Sequence, residues 1–125
     1  MDLSPVEQAF VTYLSTAGFH VGTRVPTSRP DQFVKVTRTG GPSPRMTISE
    51  PTLLVECWGK TDALAWTVAA AVWPLCTVPH AVQLSPAVWA SRITATEPVN
   101  FPDSTSGAPR YQFIATPRVA LGVSA

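Results

Sequence analysis

The stretch Thr52-Leu53-Leu54-Val55-Glu56-Cys57-Trp58-Gly59-Lys60-Thr61-Asp62-Ala63-Leu64-Ala65-Trp66-Thr67-Val68-Ala69-Ala70-Ala71-Val72-Trp73-Pro74 decides the fold. Its first part alternates, with Leu53, Val55 and Cys57 on one face and Leu54, Glu56 and Trp58 on the other. Neither face is polar throughout, which predicts a central strand. The remainder reads as a helix from an N-cap at Thr61 or Asp62 to about Trp73, closed by Pro74. Leu64, Val68, Ala71, Val72 and Leu75 form one stripe, and Trp66 and Trp73 fall on the opposite side. A helix apolar all round has to be covered on both sides, and a sheet in the same subunit covers only one.

Upstream, Ser4 is an N-cap candidate, Pro5 suits the first helical position and Glu7 completes a capping box. Val6, Phe10, Tyr13, Leu14 and Ala17 make one helical stripe, and Gly18 offers the stop. Phe19 to Val25 is a short extended piece, and Gln32 to Arg38 alternates as a strand. Gly40-Gly41-Pro42-Ser43-Pro44 then breaks the pattern.

Downstream, Pro74 to Pro86 is a Pro-punctuated connection with a short strand at Ala81 to Leu84. Val88 to Glu97 and Arg110 to Thr116 alternate as strands, separated by the long loop Pro98 to Pro109. The expected fold is α+β, an α-β-β-β-α-β-β sandwich with two helices packed on a mostly antiparallel sheet, spanning residues 1–125 as one domain.

Composition narrows the function. Charged residues are 14% of the 125, against roughly 25% in a typical soluble domain, and the 13 prolines are about twice the usual share. The net charge of +1 excludes a strongly basic nucleic-acid binder and an acidic disordered tail. Few charges cover a large surface, which predicts that part of it is buried against other chains. The acidic Met1-Asp2-Leu3-Ser4 start does not read as a secretory signal, and no run approaches the ~18 apolar residues of a membrane span. Cys57 and Cys76 are expected as buried, reduced thiols.

Catalytic chemistry finds little support. His20 and His80 have no Cys, Asp or Glu at metal spacing, the carboxylates are scattered, and no nucleophile elbow or phosphate loop is present. Cys76 follows a helix C-terminus, which raises rather than lowers a thiol pKa. The chain is therefore expected not to be an enzyme, and no cofactor or metal is expected. Arg24, Arg29, Lys35, Arg38 and Arg45 make the first half mildly basic, a solvated face in the plain reading.

Three stretches carry a resemblance. The first runs Arg29-Pro30-Asp31-Gln32-Phe33-Val34-Lys35-Val36-Thr37-Arg38-Thr39-Gly40-Gly41. The second is Glu50-Pro51-Thr52-Leu53-Leu54-Val55-Glu56-Cys57-Trp58-Gly59 with the Ala-rich helix after it. The third is Phe101-Pro102-Asp103-Ser104-Thr105-Ser106-Gly107-Ala108-Pro109-Arg110-Tyr111-Gln112-Phe113. In this order they resemble the tail terminator (tail completion) proteins of long-tailed phages, of the lambda-like type. With the first helix the resemblance covers most of the chain; the connection Leu75 to Ala87 has no counterpart in it.

The resemblance implies a virion protein at the head-proximal end of the tail, assembled in the host cytoplasm. Such proteins form a ring, usually a homohexamer, that caps the major tail tube protein and stops its polymerisation. The ring presents the joining surface to a head-completion or neck protein, and DNA passes through its lumen without specific binding. Substrate, cofactor and membrane have no part.

A ring needs two different patches meeting head to tail. The candidates are the Trp66 and Trp73 side of the second helix, with Arg38, Arg45, Asp103 and Arg110 beside the two long loops. Arg110 has a second reading, as a tie between its own loop and Asp103. The alternative function is a small ligand-binding or regulatory α+β domain, which requires a pocket with convergent polar groups. A hydrolase using His20 or His80 stands third.

Overall fold

The computed structural model describes residues 6–28, 30–41 and 48–120, and nothing of the Ala120 side chain. The Ser4–Pro5 start of the capping box, Arg29 and Arg45 lie outside the described residues.

The chain is α+β, its described residues forming two α-helices and a mixed sheet of eight strands. In chain order these are α1 (Val6–Thr16), β1 (Val21–Gly22), β2 (Gln32–Gly40), β3 (Ile48–Ser49), β4 (Thr52–Gly59), α2 (Asp62–Val72), β5 (Val82–Ser85), β6 (Val88–Ala95), β7 (Val99–Asn100) and β8 (Arg110–Ala120). A 3₁₀ turn, Trp73–Cys76, extends α2 through Pro74. The expected elements are present, the short strand expected at Ala81 to Leu84 appearing as β5, and two two-residue strands, β3 and β7, add to them.

The sheet runs β1-β2-β4-β8-β6-β5, with β3 and β7 also pairing with β8. Among the described residues, β1 and β2 pair in parallel and the other strand pairings are antiparallel. β4 is central, between β2 and β8, as its two apolar faces require. Helix α1 packs on β1 and β2 and also on β5, strands from opposite ends of that order, so the sheet curls far enough for one helix to touch both.

β8 outruns the expected end at Thr116 because it accommodates a proline. Pro117 stands opposite Ile93, whose N–H and C=O are both spent on Val78 at 2.8 and 2.9 Å. Pro117 and Ile93 therefore exchange no hydrogen bonds, and the missing N–H of proline leaves no gap in that pairing.

Helix α1 ends in a Schellman motif. The N–H of Phe19 donates to the Leu14 carbonyl at 3.3 Å, that of Gly18 to the Ser15 carbonyl at 3.0 Å, and Gly18 takes φ +105°. Glu7 has a partner outside its helix: its carboxylate accepts a 2.6 Å hydrogen bond from the backbone N–H of Arg38, fixing α1 to β2. Helix α2 starts on Thr61, whose hydroxyl accepts from the Leu64 N–H at 3.2 Å.

The stripe of α2 requires correction. Its buried residues are Ala65, Val68, Ala69 and Val72, continued by Cys76, whereas Ala71 is exposed and Leu64 and Leu75 are only part-buried. The inward face is thus rotated toward the small alanines, because α2 sits closely on β4. A Cβ placed on Gly59, at the end of β4, would collide with the backbone nitrogen of Ala65. At that point of contact the small Ala65 faces the sheet, and the larger Leu64 lies at the margin.

One core joins both helices to a single face of the sheet. Phe10 and Leu14 of α1 and Val68 and Val72 of α2 meet Val34 and Val36 of β2, Leu53 and Val55 of β4, and Phe113 of β8. Cys57 and Cys76 lie in this core as free thiols.

Candidate functional site

All three resemblance-bearing stretches converge on one cluster, on the sheet face turned away from the core. The register places Lys35 of β2 opposite Glu56 of β4, and Trp58 of β4 opposite Arg110 of β8. Glu56 is buried, with 4% of its surface exposed, so its charge needs partners. It receives Arg110 Nη1 at 2.8 Å and Lys35 Nζ at 3.6 Å.

Arg110 is the hub. Its guanidinium carbon lies 5.1 Å from the ring centre of Trp58 and 5.5 Å from that of Phe101, both within cation–π range. Its Nε donates to the Phe101 carbonyl at 2.9 Å, and Nη1 reaches Asp103 at 3.6 Å. The tie between Arg110 and Asp103 is therefore made within the chain.

Asp103 organises the loop below. Its carboxylate accepts from the Ser106 N–H at 2.8 Å and the Ser106 hydroxyl at 2.6 Å. These bonds, with Arg110 nearby, hold its carboxyl below the ordinary 3.8. Gly107, at φ +71°, closes the turn by donating to the Asp103 carbonyl at 2.7 Å. Beside this loop opens a cleft of about 620 Å³, lined by Asp31, Trp58, Lys60 and Ser106 to Pro109.

Trp66 of α2 and Trp73 of the 3₁₀ turn after it lie elsewhere and differ from each other. Trp66 is 50% exposed and its ring centre lies 5.3 Å from that of Tyr111. Trp73 is part-buried, and its Nε1–H donates to the Thr96 carbonyl at 2.7 Å, tying α2 to the end of β6. Between them runs an apolar groove of about 340 Å³, completed by Ala70, Glu97 and Pro98. Further exposed apolar side chains are Trp89, Val99 and Phe101.

Arg38 is part-buried on β2 and held through its backbone by Glu7. His20 and His80 are exposed and far apart in role: the His20 carbonyl accepts from Val34, and His80 Nδ1 lies 3.1 Å from the Ala81 carbonyl. Among the described residues, no three His, Cys, Asp or Glu side chains gather as a metal site would need. No helix there is long and apolar enough to cross a membrane.

Sequence reasoning missed Glu56 and Phe101 as members of the hub and Glu50–Arg118, a second ion pair at 2.7 Å. The signal for Glu56 was available, since a lone carboxylate flanked by Leu54 and Trp58 on an apolar strand face calls for a cation. The arrangement ties the Phe101–Pro109 loop to the sheet and leaves aromatic surface open. No family model matches the sequence, and no curated protein matches it.

Proposed function

We propose that the chain is a phage tail terminator, a structural subunit that forms a ring, caps the tail tube, stops its polymerisation and offers the surface that joins the head. The observation that carries this reading is the meeting of the three motif stretches in one cluster: Lys35 from the first, Glu56 and Trp58 from the second, Phe101, Asp103 and Arg110 from the third. Residues that carry the resemblance along the chain share a site in space, as parts of one loop anchor would. The exposed aromatics on α2 and β6 supply surface for neighbours.

The fold that goes with this function is a two-layer sandwich, both helices against one face of the mostly antiparallel sheet. The shared core of α1, α2, β2, β4 and β8 supports it. The ring, expected to be a hexamer, would carry DNA through a lumen without gripping it, in keeping with a net charge of +1. Its partners would be the tube protein and a head-completion protein, with no cofactor and no catalytic step.

Electron microscopy of tails assembled with and without the protein tests this. Omission should yield overlong tubes that fail to join heads, and tails of normal length without it would overturn the reading.

The cleft beside Trp58 and Lys60 favours a second reading, a small ligand-binding domain. That reading expects Lys60→Ala to abolish binding of a small anion while leaving tail length unchanged.

A further inference from the structure

We propose that the chain associates with a second copy of itself head to tail, the Trp66–Trp73 groove and Glu97 of one copy receiving the Trp89 and Arg92 surface of the next. The proposal rests on the ring reading and names the contact within it.

The two surfaces are complementary in charge as well as apolarity. Glu97 is the only charged side chain lining the groove, is exposed, and has no cationic partner among the described residues. Trp89 is 56% exposed, the highest value among the exposed aromatic side chains. On the same outward face, Arg92 of β6 stands directly opposite Arg118 of β8. Like charges in register repel, and Glu50 at 2.7 Å from Arg118 compensates only one of the two. Arg92 is exposed and has no acidic partner among the described residues. A carboxylate arriving beside Trp89 would complete the neutralisation, and Glu97 is a carboxylate beside a groove sized for an aromatic ring.

The two surfaces of one chain cannot meet. Trp89 is the second residue of β6 and Glu97 lies two residues past its end, about 25 Å apart along an extended strand. Trp89 faces outward from the sheet, whereas the groove runs along α2. Patches that fit each other but lie on different parts of the subunit make a heterologous contact, which closes into a ring or runs on as a filament. Tryptophan and arginine are the side chains that most often anchor such contacts, and the charge pair sets which end meets which.

Sedimentation velocity of the full chain over a concentration series tests it, with circular dichroism confirming that each variant is folded. Glu97→Arg alone and Arg92→Glu alone should each weaken association at least about tenfold. An equimolar mixture of the two variants should regain it, because alternating copies restore every charge pair in a head-to-tail array. A wild-type chain that stays monomeric at every concentration overturns the contact, as does an assembly that ignores both reversals or a mixture that fails to recover. Tail length in micrographs judges the terminator reading separately, so a chain that controls length while ignoring both reversals would retire the contact and leave that function standing.

Discussion

The Arg110 guanidinium sits 2.8 Å from the Glu56 carboxylate and within 5.1 and 5.5 Å of the ring centres of Trp58 and Phe101. Both ends of the pair are largely buried, with side chains 12% and 6% exposed. Removing Arg110 takes the 2.8 Å partner from the buried Glu56 carboxylate and leaves it the longer contact to Lys35 at 3.6 Å. Arg110→Ala is expected to cost about 3 kcal/mol of stability by urea denaturation. Arg110→Lys should recover only part, because an ammonium keeps the charge but cannot stack in the same way or donate from Nε to Phe101.

The Asp103 carboxyl should titrate below its ordinary value. The Ser106 hydroxyl and N–H favour the charged form first, and Arg110 adds to them. A carboxylate with a depressed folded pKa contributes stability above its unfolded pKa, and that contribution disappears as pH falls through the folded value. Side-chain NMR is expected to give Asp103 a midpoint under 3.8, moving upward in Ser106→Ala. An Asp103 that titrates at the ordinary value in both proteins would show that the turn is not held by this carboxylate.

The thiols give the opposite pH limb. Burial, with the neighbouring Glu56 charge second, pushes Cys57 up to about 12 from 9.0, and burial likewise pushes Cys76 upward. A group kept protonated by the fold binds more protons folded than unfolded, so stability falls as pH rises from about 9 toward 12. Urea midpoints at pH 8 and pH 10 should show the decline. Neither thiol should react with a polar disulfide reagent at pH 8 until denaturant is added, since the thiolate is the reactive form.

Gly59→Ala should destabilise although Gly59 has an ordinary backbone conformation. An added Cβ would run into the Ala65 backbone where α2 sits on the end of β4. Overpacking of this kind costs about 1–3 kcal/mol, and here the obstacle is main chain that cannot rotate away. A melting temperature equal to the parent's would mean that the helix shifts freely on the sheet.

The elements that a local pattern determines were legible in the sequence: the central strand from its two apolar faces, α2 from Thr61 and its apolar run, the stop of α1 from Gly18. The inward face of α2 was not. Periodicity weights large side chains, and the close approach at Gly59 selects Ala65 and Ala69 instead. The Asp103–Arg110 tie could be foreseen because seven positions separate the two around one turn. The Glu56–Arg110 pair joins positions 54 residues apart, and only the register of β4 against β8 brings them together. The Glu7 tie to the Arg38 N–H was hidden for a different reason, since a capping box explains the same glutamate locally.

Trp66 and Trp73 share a helix face in the sequence but should separate in experiment. Trp73 is a structural tie, and Trp73→Phe removes the bond from Nε1 to the Thr96 carbonyl, at an expected cost of about 1 kcal/mol in urea denaturation. Half of Trp66 is already in water, and its described ring contact is with Tyr111. Trp66→Ala should therefore change monomer stability by about 1 kcal/mol or less, yet weaken self-association by about 2 kcal/mol, as truncation of an interface anchor does. Trp73→Phe should leave association within about threefold of the parent, because an aromatic ring still walls the groove and Trp66 stays in place. The two readouts are independent, one taken where the chain is monomeric and one across the concentration series. If both substitutions moved stability and association in parallel, the tryptophans would form one structural unit, and Trp66 would have no separate role at a subunit contact.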